Sequence, residues 1–298
     1  MKKSVSWIIA VVITLVLSVY QRMTGPTYPK SVTVEVNGEK YKVKLPRSGV
    51  QHDEIVTLKG VPQGLSSRPP HLSSRKATGR RPQVGNLSEA HGEISGDPST
   101  TLGMTLHYRR YPSGDAYTTV DFSWKEGAWQ TALPMQPVAG KLQYYITVSG
   151  KDYLADEPIV IRFRNDVPAS ILIPHIILMF AAMLFAVYTL LLVVTRKAYK
   201  RWLKITVATL FVGGFILGPL VQHVAFGPWW AGYPYGTDLT DNKTLIAFLF
   251  FLAALATMKW KYNKWVVCLA VVMMIAVFTI PHSAYGSEYD YNTQQLKK

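Results

Sequence analysis

Residues 171–194 contain no aspartate, glutamate, lysine or arginine, and only His175 interrupts them with a group that titrates near neutral pH. A helix crossing about 30 Å of hydrocarbon needs about twenty such residues. Inside lipid every backbone N–H and C=O must find its partner within the protein, which restricts such a run to a helix. Residues 205–221, 245–258 and 265–280 read the same way, the shorter runs reaching adequate length with their interfacial ends, Thr244 and Trp260 among them. A further apolar run, 5–20, follows Lys2 and Lys3 and leaves through Tyr20, Gln21 and Arg22. No small-x-small cleavage site follows it, so residues 1–22 read as an uncleaved signal anchor.

Charge orients these five expected spans. The 298-residue chain has 32 Lys and Arg against 18 Asp and Glu, a net charge of +14. A basic excess of this size is compatible with nucleic-acid binding, but here most of it flanks apolar runs or falls in one polar insertion. No nucleic-acid partner is therefore expected. Basic residues collect on the cytoplasmic side of membrane proteins. That rule puts Lys2 and Lys3, the 196–204 stretch and the 259–264 stretch inside. The expected location is the cytoplasmic (inner) membrane, with the N-terminus cytoplasmic. The region 28–166, the 223–244 loop and the 283–298 tail then face the exoplasmic or periplasmic side, around a 169–282 four-helix bundle. Cys268 is the single cysteine, which excludes an intrachain disulfide and a cysteine metal cluster.

Between the first and second apolar runs the pattern changes to alternation. Residues 31–36 and 39–45 alternate on either side of Asn37-Gly38, a strong hairpin signal. Further alternating stretches are 105–111, 116–124, 129–133, 142–148 and 159–163, with a turn at Pro112-Ser113-Gly114-Asp115. Short strands at this spacing predict an all-β sandwich. Within it, 63–104 is rich in Ser, Gly, Pro, Arg and His and has no apolar period. Such a composition buries too little apolar surface to offset the entropy of ordering, so it reads as a disordered insertion dispensable to the fold.

Four resemblances attach to these stretches. LHYRRYPSGDAYTTVDF and LPMQPVAGKLQYYITV resemble fibronectin-type-III or immunoglobulin-like modules, which implies the sandwich fold and no particular activity. SEAHGEISGDPSTTLGMT, inside the insertion, resembles peptides made when repetitive DNA is translated in passing. With MTGPTYP near the start and PHSAYGSE near the end, the chain outside the insertion resembles an uncharacterised family of bacterial polytopic membrane proteins, implying fold and location only. GPWWAGYPYGTDLTDNKTLIAF resembles the tryptophan-rich WWD loop of haem-handling proteins of cytochrome c assembly. That likeness implies Trp229 and Trp230 against a haem face, Asp238 at the acidic turn, and His223 and His282 as flanking ligands. It departs from the family where Leu239, not proline, follows Asp238.

The expected topology gathers chemistry-bearing residues at the outer face. His175 lies about a turn inside the second span, His223 closes the third, and His282 closes the fifth. Intramembrane ionisable groups are costly unless paired or used, which singles out His175. Imidazoles beside an aromatic wall suit haem b or a divalent metal. The structural alternative treats Trp229, Trp230, Tyr233 and Tyr235 as boundary aromatics and Asp241-Asn242, before Thr244, as a helix N-cap. No phosphate-binding Gly-rich loop, G-x-S-x-G or H-E-x-x-H occurs. The expected function is therefore a non-enzymatic membrane anchor whose β-sandwich binds an exoplasmic or membrane protein partner, its other partner being the lipid bilayer. The alternative is haem or metal binding through the outer histidines.

Overall fold

The structure is a computed structural model that describes residues 3–63, 103–281, 286 and 288–296. His282 and nearly all of the 63–104 insertion lie outside the described residues.

Alternation builds the β-domain. Strands β1 (Lys30–Val36) and β2 (Glu39–Leu45) pair antiparallel, with Val36 opposite Glu39. Asn37 (φ 54°) and Gly38 (φ 83°) both adopt left-handed backbone, as the turn between two right-twisted strands requires. Next come β3 (Ser48–Gly49), β4 (Glu54–Leu58), β5 (Met104–Arg110), β6 (Thr118–Asp121) and β7 (Ser123–Lys125). Then follow β8 (Ala128–Leu133), β9 (Lys141–Val148), β10 (Lys151–Tyr153) and β11 (Ile159–Phe163). Beside the β1-β2 hairpin, the largest sheet has the order β3-β11-β9-β5-β6, with β10 folded back on β9, and a three-stranded sheet has the order β4-β8-β7. Their apolar faces share one core, in which Val56, Trp129 and Leu133 meet Leu106, Tyr144 and Ile161. Buried aromatic rings with polar tips need a partner for the tip. Trp129 Nε1 donates to the Pro62 carbonyl at 3.0 Å, and the Tyr144 hydroxyl to that of Pro46 at 2.7 Å.

Two expectations need correction here. Residues 116–124 do not form one strand. The chain breaks at Phe122, which is buried in the shared core, so β6 joins the larger sheet and β7 the smaller. A strand that changes sheets keeps its alternation, so the break is invisible in the sequence pattern. Strand β4 was not expected, because five residues set between charged neighbours carry little periodic signal; Val56 and Leu58 are nevertheless completely buried.

Among the described residues, four helices are long and apolar enough to cross a membrane. They are α1 (Lys3–Thr24), α2 (Ala169–Val194), a composite helix (Lys200–Phe226) and α5 (Leu239–Ala256). The composite helix consists of α3 (Lys200–Phe211), a π-helical segment (Val212–Leu217) and α4 (Gly218–Phe226). A shorter apolar helix, α6 (Asn263–Thr279), packs against α5 and α2. Lys200, Arg201 and Lys204 therefore stand on the first turns of α3 rather than in a loop. Small residues, among them Ala182, Ala186, Ala247, Ala254 and Ala270, are fully or almost fully buried in the bundle core. Lipid is as apolar as the side chains, so close van der Waals approach is what holds such helices together.

Each end of the bundle has its own fastening. At the basic end, Trp7 stacks on Tyr188 (4.1 Å, 18°) and meets Trp202 edge-on (5.1 Å, 80°). The Tyr199 hydroxyl donates to Asn263 Oδ1 at 2.8 Å, and Asn263 Nδ2 donates to the Ala254 carbonyl at 2.7 Å. At the other end, strand β11 leads straight to Asn165, whose N–H and side-chain amide donate to the carbonyls of Ala225 (3.0 Å) and Val224 (3.1 Å). Carbonyls in the last turn of a helix have no partner within it, and here the β-domain supplies one. The chain after α6 returns to the β-domain as β12 (Tyr289–Asp290) and β13 (Gln295–Leu296). Glu288 forms an ion pair with Lys141, and the Tyr291 hydroxyl accepts the Lys141 N–H (3.0 Å) and donates to its carbonyl (2.8 Å).

Candidate functional site

The aromatic loop is shorter and more tightly wound than the sequence suggests. Helix α4 ends at Gly227 (φ 96°), and α5 begins after Asp238, whose Oδ1 accepts the Thr240 N–H at 2.8 Å. Asp238 is thus the N-cap, and Asp241 and Asn242 lie inside the helix. Their side chains reach back to the loop: Asp241 Oδ2 accepts the Ala231 N–H at 2.7 Å, and Asn242 Oδ1 accepts the Tyr233 N–H at 2.6 Å. Gly232 passes so close that a Cβ there would stand 2.7 Å from the Asp241 Cβ, which only glycine avoids.

The expected ligand set is divided by this arrangement. His223 donates through Nδ1 to the Gly227 carbonyl and lies flat against Trp229, with centroids 4.1 Å apart and planes at 4°. Trp230 turns the other way, stacking on Phe215 at 5.6 Å and donating Nε1 to the Tyr233 carbonyl at 3.0 Å. His175 stands apart from both, on α2, with Nδ1 donating to the Gly213 carbonyl at 3.0 Å. Among the described residues, no group of three His, Cys, Asp or Glu side chains is arranged to hold a metal ion.

The site that does form is a cavity of about 530 Å³ where the bundle meets the β-domain. Its walls come from the end of α1, the first half of α2, the π segment and α4, the start of α5, and strand β11 with its exit. Arg22, Arg162, Arg164 and Lys243 line it, with Asp241 and His175. Along α2 the lining turns apolar through Ile176, Met179, Phe180 and Met183. The π segment helps shape this wall. Its wide turn gives the Gly213 oxygen two donors, the Gly218 N–H and His175. Gly214 lies so close to α5 that a Cβ would stand 2.7 Å from Thr244 Cγ2. Such π insertions inside α-helices occur often at functional sites.

Each cation in the wall has a definite seat. Lys243 is 2% exposed and donates Nζ to the Ile280 carbonyl at 3.0 Å. The Arg162 guanidinium lies over the Phe226 ring, 4.1 Å from its centroid. Burial pulls Arg162 down to about 10, against the charges of Asp238 and Glu288, so it stays cationic at neutral pH. Arg164 Nη1 donates to the Asn165 carbonyl at 2.9 Å, and exposed Arg22 lies 5.8 Å from the Tyr28 ring.

Of the cofactor-binding candidates expected from the sequence that fall among the described residues, His175 lines this cavity, whereas His223, Trp229, Trp230 and Asp238 do not; Asp241, expected as a helix cap, lines it as well. The cavity arginines carry no distinctive sequence signal: Arg162 and Arg164 follow ordinary strand alternation, and Arg22 ends an apolar run. Lys243 carried a usable signal, a lysine one turn into a span. Comparison of the chain with protein-family models, with curated proteins and with solved structures finds no match.

Proposed function

We propose that this chain is a non-enzymatic membrane binding protein. In this reading α1, α2, the composite helix, α5 and α6 all span the cytoplasmic membrane, α1 serving as signal anchor. The β-domain is a fibronectin-III-like sandwich on the exoplasmic side, fixed to the outer end of the bundle. The basic stretches around Arg196 and Lys259 support that orientation, since they lie at the far end of the helices from the β-domain. The ligand is an amphiphile taken from the bilayer and held at the junction. One observation carries this: a single cavity is walled by polar side chains next to the β-domain and by Ile176, Met179, Phe180 and Met183 deeper along α2. Its titratable side chains support binding over catalysis, because Asp241, Lys243 and His175 are all committed to backbone partners.

The test is to purify the protein in native membrane discs and identify the retained amphiphile by mass spectrometry. Near-stoichiometric retention that is lost in the cavity-filling variant Val221→Trp is expected. Equal retention by that variant, or none by the wild type, would overturn the reading. The orientation is tested separately: a reporter that needs the cytoplasm, fused after Lys298, should be silent.

A second reading, a haem b or metal site, rests on His175. Its Nδ1 is held by a backbone carbonyl, which orients the ring and leaves Nε2 as the ligating nitrogen beside an apolar wall. A Soret band in the purified protein that changes in His175→Ala would favour it over the amphiphile.

A further inference from the structure

The amphiphile reading leaves open what kind of head group enters the cavity, and the charge of the wall answers it. Four cationic side chains from three parts of the fold converge there: Arg22 on α1, Arg162 and Arg164 on β11 and its exit, and Lys243 on α5. Among the described residues, the single carboxylate in the lining is Asp241, which accepts the Ala231 N–H at 2.7 Å; Asp238 and Glu288, outside that lining, act on Arg162, and Asp238 also on Lys243. The ion pairs found among the described residues include none of Arg22, Arg164 or Lys243. Those three are held instead by a ring or a backbone carbonyl, which orient a cation without neutralising it. Positive charge next to hydrocarbon is costly unless compensated. Guanidinium groups offer paired N–H donors that fit the oxygens of a phosphate.

The route of entry is also visible. Trp7 pins α1 to α2 near Tyr188, at the far end of the bundle. At the near end the cavity lies between the same two helices, lined by Ser18 and Gln21 on one and by Ile176 and Phe180 on the other. Ile176 and Phe180 are also 39% and 44% exposed, so the apolar wall opens toward the surrounding lipid.

We propose that the cavity binds a membrane lipid with a phosphate-bearing, net anionic head group, its phosphate among Arg22, Arg162, Arg164 and Lys243 and its acyl chain along Ile176, Met179 and Phe180. This rests on the amphiphile reading above. The experiment uses the full chain in nanodiscs of phosphatidylcholine alone or mixed with phosphatidylglycerol, with lipid retention read by native mass spectrometry. Inorganic phosphate, added to the phosphatidylcholine discs, forms a third arm read by thermal unfolding. Wild type should retain phosphatidylglycerol in preference to phosphatidylcholine. Arg164→Gln and Arg22→Gln, both at positions with solvent access, should each lower that preference about fivefold, the effect expected of one cation beside an anionic head group. The paired control Lys259→Gln/Lys261→Gln, on the exposed basic loop at the other end, should leave it unchanged.

Equal retention of both lipids, insensitive to Arg22 and Arg164, would overturn the anionic head group and leave an amphiphile site standing. Loss of preference in the control as large as in the cavity variants would move the effect to the basic loop and overturn the proposal. Stabilisation by inorganic phosphate equal to that by phosphatidylglycerol would make the ligand free phosphate and not a lipid. Retention of no lipid at all would remove both this proposal and the reading beneath it.

Discussion

The imidazole of His175 and the carbonyl oxygen of Gly213 meet at 3.0 Å across two spans, and the same oxygen also accepts the Gly218 N–H. A regular α-helix returns each carbonyl to the N–H four residues on. Here the return is to the fifth, and the widened turn presents the oxygen to α2. The histidine is thereby part of what holds the composite helix beside α2, as well as part of the cavity wall.

Replacing His175 by alanine should weaken that join. Side-chain hydrogen bonds between membrane helices are worth about 0.6 kcal/mol on average and up to about 1.7. A loss in that range is expected, measured by reversible unfolding in detergent. No change would mean that the π segment sustains itself without α2.

Gly214 should tolerate no side chain unless its neighbour shrinks. A Cβ there would sit 2.7 Å from Thr244 Cγ2. Gly214→Ala should cost about 1–3 kcal/mol through overpacking. The double variant Gly214→Ala/Thr244→Ser, which removes the offending methyl, should recover most of it. Additive effects would show that the two helices do not touch there.

Asn263 should matter more than its partner Tyr199. It joins the Tyr199 hydroxyl, the Ala254 carbonyl and the Thr257 hydroxyl at 2.8, 2.7 and 3.1 Å. Asn263→Ala removes all three bonds and leaves the buried Tyr199 hydroxyl without its acceptor, at about 1–3 kcal/mol, whereas Tyr199→Phe removes one hydrogen bond worth about 1 kcal/mol. Thermal unfolding of the two variants should fall in that order.

Tyr291 predicts an alkaline step in stability. Burial pushes its hydroxyl from the ordinary 10.0 up to about 12. Between those values the unfolded chain has lost the proton and the folded protein still holds it. Stability must therefore fall as pH rises through this window and be unaffected by this group below it. In Tyr291→Phe the alkaline fall should be shallower than in wild type, with the Tyr144 hydroxyl, also raised by burial, accounting for part of the remainder. Protease cleavage of the tail should rise in the same variant at neutral pH, because the bonds to Lys141 are lost.

What the sequence determined by itself was local. Long apolar runs without charge are stable in hydrocarbon only as helices, so the runs after residue 169 announced helices, the last of them, α6, shorter than the rest, and Asn37-Gly38 between alternating stretches announced the first hairpin. The cap at Asp238 was a local signal as well, but Asp241 and Asn242 imitated it three residues later. Only the tertiary structure decided the rest, because the rest depends on residues distant in the chain. Phe122 ends one strand and starts another according to which sheet lies opposite. His223 stacks on a neighbouring tryptophan while His175 faces a cavity, a division that depends on how the helices are arranged. Arg22, Arg162 and Lys243 are 140 and 81 residues apart in succession. No period or motif connects such positions, and they become one wall only when β11 is seated on α4 and α5 packs beside the π segment.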